Sequence, residues 1–231
     1  MYILAHKKSN NGSSSNNISS FKIQGNSTTT MQITPVEDCV VDFGDGTKQT
    51  YTGNNRSTQA YHSYSESNIY TIKITGNHSS FRAPQNIIEI IQISNSVTNC
   101  SQMFYNCSNL TEIPETLTIP NTVTNCSQMF FACSNLTVIP STLTIPNSVT
   151  NCSGMFGNCS SLTSDISNIW PSAWNYTGTI NVRDVFYNCS KVVGTAPADK
   201  LWNSGKTFNS SGCFTGCTSL DNYNEIPAGW K

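Results

Sequence analysis

"NCSQMFYNCSNLTEIP" runs from Asn99 to Pro114, and "NCSQMFFACSNLTVIP" repeats it from Asn125 to Pro140. A third version, "NCSGMFGNCSSL", opens at Asn151. The two cysteines of each copy stand seven residues apart, a pattern open to three readings: a metal site, a disulfide, or a structural element that recurs because the fold recurs. Alignment of the copies separates these. Residues 99–124 match residues 125–150 at a spacing of 26, nearly residue for residue. "VFYNCSKV" (residues 185–192) and "CFTGCTSL" (residues 213–220) are fourth and fifth copies displaced by insertions. Upstream, "IIEIIQISNSVT" (residues 87–98) matches the back half of a unit, so the array is expected over residues 84–231 with irregular first and last units.

In each unit "SQMFYNC" predicts a short helical turn, with Ser101 as N-cap and Met103, Phe104 and Cys107 on one face. "NLTEI" and "TLTIPNTV" predict two short extended segments with Leu110, Ile113, Leu117, Ile119 and Val123 inward, limited by Pro114. No such unit buries its apolar face alone. Stacking at about 4.8 Å per strand buries the faces jointly and sets equivalent residues above one another. Phe104, Phe130, Phe156, Phe186 and Phe214 then form one interior ladder. Cys107, Cys133, Cys159, Cys189 and Cys217 form a second, and Leu110, Leu136, Leu162 and Leu220 a third.

That stacking bears on the cysteines. Zinc sites need four convergent ligands, with cysteines about two to four residues apart. The three histidines (His6, His62, His78) all lie outside the array. Disulfide pairing would keep or lose both partners together, yet Val182 replaces the first cysteine while the second persists. Unpaired buried thiols fit the pattern best.

Residues 9–20, "SNNGSSSNNISS", are too polar to bury and read as a flexible linker. The apolar stretch ahead of it, from Met1 to Lys8, is either a docking peptide or a frayed terminus. Between residues 21 and 80, "FKIQG", "TMQITP", "CVVDFGDG" and "YTIKITG" alternate apolar and polar residues between turn signals, predicting a small antiparallel β-sandwich.

"VTNCSQMFYNCSNLTEIP" resembles the BspA-type leucine-rich repeats of bacterial surface proteins. "VVDFGDGT" (residues 40–47) with "AYHSYSESNIYTIKITG" (residues 60–76) resembles a PKD-type, Ig-like β-sandwich, with Asn68 where that family has Gly and Ile72 where Val is usual. The expected fold is therefore mainly β with short helices: an Ig-like sandwich followed by a leucine-rich-repeat solenoid. The resemblance implies a non-catalytic surface module of the kind found in bacterial adhesins and in proteins of gut bacteria and their phages.

Composition narrows the partners. Net charge is −1 and 11% of residues are charged, so nothing electrostatic favours nucleic acid or an anionic membrane. No apolar run approaches the roughly 20 residues of a membrane span. The start lacks a basic n-region and a long apolar stretch, so no secretory signal is expected. Assembly in a host cytoplasm follows, with display on a virion or outside the cell.

"DFGDG" (residues 42–46) reads as a turn in which the aspartates bond the backbone; Asp42 and Asp45 offer too few oxygens for calcium. His62 reads as packing between Tyr61 and Tyr64. No nucleophile, base and orienting acid occur together, and no cofactor is implied. "IWPSAWNY" (residues 169–176) interrupts the repeat, and its Trp170, Trp174 and Tyr176 form either a ligand-contact loop or a cover over an irregular gap. The leading expectation is a virion-surface protein that recognises a host glycan or protein, joined to other virion proteins by its N-terminus or sandwich. A secreted BspA-type adhesin and a purely structural capsid-decorating subunit are the alternatives.

Overall fold

The computed structural model describes residues 17–25 and 28–231; the expected docking peptide from Met1 to Lys8, and the linker as far as residue 16, lie outside them. Eight strands come first: β1 (Ile18–Gly25), β2 (Thr28–Pro35), β3 (Cys39–Asp42), β4 (Lys48–Tyr51), β5 (Thr58–Ser63), β6 (Asn68–Thr75), β7 (His78–Arg82) and β8 (Ile87–Gln92). They make two antiparallel sheets, β4-β3-β6-β1-β8 and β5-β2-β7. Alternation sends Phe21, Ile23, Val41, Ile72 and Ile74 of one sheet, and Met31, Ile33 and Phe81 of the other, into a shared core. The rings of Phe21 and Phe81 stack across it at 5.7 Å.

Two boundaries differ from expectation. Residues 18–20, assigned to the linker, belong to β1, because Ser19 and Ser20 are buried by strand pairing with β6 despite their polarity. Residues 87–92, assigned to the repeat array, form β8 at the edge of the five-stranded sheet. Their apolar residues match both a repeat and a strand, and pairing with β1 decides the outcome.

A buried network explains the serines. The Ser94 amide donates to Ser19 Oγ at 2.9 Å, and Ser19 Oγ lies 2.8 Å from His78 Nε2. His78 Nδ1 sits 2.8 Å from the Gly76 carbonyl, which can only accept. Nδ1 therefore holds the proton, and Nε2 accepts from Ser19.

Beyond β8 the chain winds in repeating units joined by parallel bridges, Asn99 to Asn125 to Asn151 to Asn181 and Glu112 to Val138. The segment expected to be helical is not. Gln102 and Asn106 both have φ of 57°, and the Met103 and Tyr105 amides donate to the carbonyls three residues back, of Cys100 and Gln102. These are successive tight turns with a left-handed residue at the third position of the first. The reversal points alternate amides outward: those of Cys100, Gln102, Phe104 and Asn106 donate to the carbonyls of Asn125, Ser127, Met129 and Phe131 in the next unit, at 2.8–2.9 Å. A helix would have used those amides internally. The same four bonds recur from the second unit to the third and from the third to the fourth. In the fourth unit the contact with the fifth includes a short parallel pair, β9 (Ile180–Asn181) with β10 (Phe208–Asn209).

Both ends of this stack are covered. At the start, β7 stands where a preceding unit would: the Thr98 and Asn99 amides donate to Ser79 O, the Ala83 amide donates to Met103 O, and the Phe81 ring meets Phe104 edge-on at 6.0 Å. At the finish, the Phe214 amide donates to Trp230 O, and Trp230, in a 3₁₀ turn (Ala228–Trp230), stacks on Phe214 at 6.4 Å. Open edges invite further pairing, and these caps close them.

Candidate functional site

The repeated motif turns its chemistry inward. Phe104, Phe130, Phe156, Phe186 and Phe214 stack with centroid spacings of 5.3, 5.3, 5.5 and 6.2 Å. Each such pair contributes about 0.5–1.5 kcal/mol beyond its buried area. Leu110, Leu136, Leu162 and Leu220 are buried beside them, with Val192 taking the fourth-unit place.

All ten cysteines are free and buried. The thiols of Cys133, Cys159, Cys189 and Cys217 each donate to a carbonyl of the preceding unit, Phe104, Phe130, Phe156 and Phe186, at 3.0–3.2 Å. Cys107, in the first unit, makes only longer contacts of 3.8 and 3.7 Å to Pro84 O and Tyr105 O. This second role, a donor small enough for the core, was not visible from spacing. Burial pushes the Cys133 and Cys189 thiols up to about 12, and raises Cys107, Cys159 and Cys217 as well. Thiols so far from ionising are poor nucleophiles and poor metal ligands. Among the described residues no three His, Cys, Asp or Glu side chains converge as a metal would require.

The asparagine of each "NC" is likewise committed. Asn99, Asn125, Asn151 and Asn181 each accept, through Oδ1, the amide two residues on. These Asx turns open the tight turns of each unit. The left-handed positions were also missed at the sequence level. Their signal was a column occupied by Asn106, Ala132, Asn158, Asn188 and Gly216, a set dominated by the residues that tolerate positive φ.

In the DFGDG turn, Asp42 Oδ1 accepts the Gly44 amide and Asp45 Oδ1 the Thr47 amide, both at 3.0 Å. Gly44 has φ of 84°, and a Cβ there would lie 2.7 Å from Thr71 O. Asp45 Oδ2 lies 2.6 Å from His62 Nε2, whose ring stacks on Phe43 at 4.5 Å. The Gly44 amide, with Lys48 beside it, holds the Asp42 carboxyl below its usual range. At Asp45 burial pushes upward, but the Thr47 and His62 bonds outweigh it and the net direction is down.

The three aromatic residues of 169–176 part company. Trp170 is 1% exposed and Trp174 4%, whereas Tyr176 is 44% exposed. Trp170 does not interrupt the repeat. "IWPS" continues the column of "TIPN", as the bond from the Ile145 amide to Ile169 O shows, so Trp170 follows Ile119 and Ile145 into the core. There it meets Phe186 and Phe214 edge-on, both at 6.0 Å. Trp174 packs on Phe208 and donates Nε1–H to Lys200 O at 2.9 Å. The true insertion follows Trp174 and brings Tyr176 to the surface.

A cleft of about 600 Å³ lies on the outside of the "TIPN" column. Asn121, Asn147, Asn168 and Asn175 line it with Trp170 and Lys200, and no carboxylate does. On another face, Arg82, Tyr105 and Phe131 form an outer stack: the guanidinium lies 4.9 Å from the Tyr105 centroid, and the two rings are 5.5 Å apart. Among the described residues no helix is long and apolar enough to cross a membrane.

Neither a curated protein nor a solved structure matches the chain. A family model described as "Mycoplasma protein of unknown function, DUF285" matches residues 98–226, the span of the stacked units. With that match covering more than half of its length, the chain belongs to the DUF285 family.

Proposed function

We propose that the chain is a non-enzymatic recognition module displayed on a surface, built as a PKD-like, Ig-like sandwich that caps a leucine-rich-repeat solenoid. The observation that carries this reading is the direction of the motif's chemistry. The thiols of Cys133, Cys159, Cys189 and Cys217 and the Asx amides of Asn99, Asn125, Asn151 and Asn181 all hold the stack together. Much of what varies between units lies at the surface, as at Glu112 and Val138, or Tyr105 and Phe131. A scaffold conserved inside and variable outside suits recognition of a surface.

Free thiols suit assembly in a reducing cytoplasm, which favours a virion-surface protein over a secreted adhesin. The capped ends favour a discrete decorating subunit over a fibre grown by stacking units end to end. The test is binding of the full chain, clustered on streptavidin beads, to candidate host cells. Saturable binding supports recognition; absence of binding at high valency rejects it and leaves the structural role. Loss of particle incorporation on removal of residues 1–8 would assign attachment to that segment.

A further inference from the structure

We infer that the cleft beside Trp170 is a binding site for a neutral oligosaccharide, an inference that rests on the recognition reading above. Most asparagines of the first arm of each unit are occupied internally. Besides the Asx residues, Asn135 donates to Ser108 O and Asn188 to Asn158 Oδ1. In the cleft the pattern reverses. Asn121, Asn147, Asn168 and Asn175 come from three successive turns of the chain, and none of their side-chain carboxamides hydrogen-bonds another group among the described residues. The Asn175 and Asn147 backbones are tied to each other, from the Asn175 amide to Asn147 O at 3.4 Å. Their side chains are thereby held near one another without being used.

A carboxamide offers two donors and an acceptor, and so matches a sugar hydroxyl, which is both donor and acceptor. Four of them around one cavity recognise a polyhydroxylated surface without needing charge. A cationic ligand finds no carboxylate in the lining, and Lys200 contributes the one charged group. The volume falls within the range of about 300–1,000 Å³ usual for ligand clefts.

The walls are fixed in place: the Trp174 indole holds the Lys200 backbone, and Pro171 is buried behind the opening. A rigid cleft loses less entropy on binding than a loop would.

The test uses the full chain, clustered on streptavidin, against an array of neutral hexose and N-acetylhexosamine oligosaccharides and their uronate- and sialate-bearing counterparts. Monomer affinity for any hit is then measured by calorimetry. We expect neutral members to bind, and the pair Asn147→Ala with Asn168→Ala to weaken the best of them by about tenfold or more, two lost hydrogen bonds. Asn109→Ala, exposed on another arm, should bind as the parent does. Asn168→Asp, which keeps shape and replaces donors with charge, serves if the double variant folds poorly, and should weaken binding too. Equal binding by the cleft variants, binding of acidic members alone, or cell binding without any oligosaccharide hit overturns the cleft assignment and leaves recognition standing. Failure to bind cells and array alike removes both.

Discussion

Ala132 is the odd member of its column. Its φ is 58°, in the left-handed region, where the equivalent residues are Asn106, Asn158, Asn188 and Gly216. An L-residue with a Cβ loses roughly 1–2 kcal/mol there. Glycine removes that strain but loses more entropy on folding, about 0.4–1 kcal/mol. The Ala132 amide keeps its bond to Gly157 O at 2.8 Å whichever residue is present. Ala132→Gly is therefore expected to stabilise the protein by about 0.5–1 kcal/mol, the reverse of the usual effect of glycine. For a chain of this size that is a rise of about 1–4 °C in the thermal midpoint. Urea titration and thermal melts read by circular dichroism measure it. Ala173→Gly, at an exposed position without positive φ, is the control and should lose stability. If Ala132→Gly falls as far as Ala173→Gly, the left-handed turn at the heart of each unit is wrong.

Removing a rung tests the stack itself: Phe156→Ala, between Phe130 and Phe186, should cost about 3–5 kcal/mol in urea titration, and a loss under about 1.5 would contradict the ladder. Gly157→Ala should be destabilising without any φ strain, since the added Cβ would lie 2.9 Å from the Phe131 ring; an unchanged melt would place that ring elsewhere. Stability should also depend on pH in two windows. Burial lowers the His78 pKa, so the unfolded chain takes up a proton first, and stability falls as pH drops below about 6.5. The depressed carboxyls of Asp42, Asp45 and Asp165 contribute stability that is present above about pH 4 and lost as pH falls further. His78→Gln should flatten the first window and leave the second, as denaturation at several pH values would show.

Periodicity made much of this molecule legible. A strict repeat of 26 residues puts Phe104 over Phe130 whatever the local backbone does, so the columns could be read without knowing the turns. The turns themselves could not. Met103, Phe104 and Cys107 have a spacing that fits a helix face, and a local pattern cannot reveal that the amides of Gln102 and Asn106 bond the next unit. The discriminating sign was the Asn/Gly column at residue 106, which means something only once the copies are compared as turn residues. Residues 87–92 differ for another reason: Ile91, Ile93 and Val97 align with Leu117, Ile119 and Val123 of a repeat, yet pairing with β1, far away in sequence, buries Ile87 and Ile90 and leaves Ile91 half-buried. At the candidate site, Trp170 was misplaced because "IWPS" differs from "TIPN" in size, while the backbone bond to Ile145 keeps the register. The cleft amides stood in the sequence all along, but their lack of partners belongs to the folded chain.

The motif cysteines are rungs of a packed stack and not a reactive or metal-binding pair. Alkylation followed by intact-mass measurement tests it most directly. No thiol is expected to be labelled in the native protein within minutes, and all ten in denaturant without prior reduction. Fewer than ten in denaturant, above all a linked Cys100–Cys107 pair, or a metal ion retained by the native chain, would contradict it.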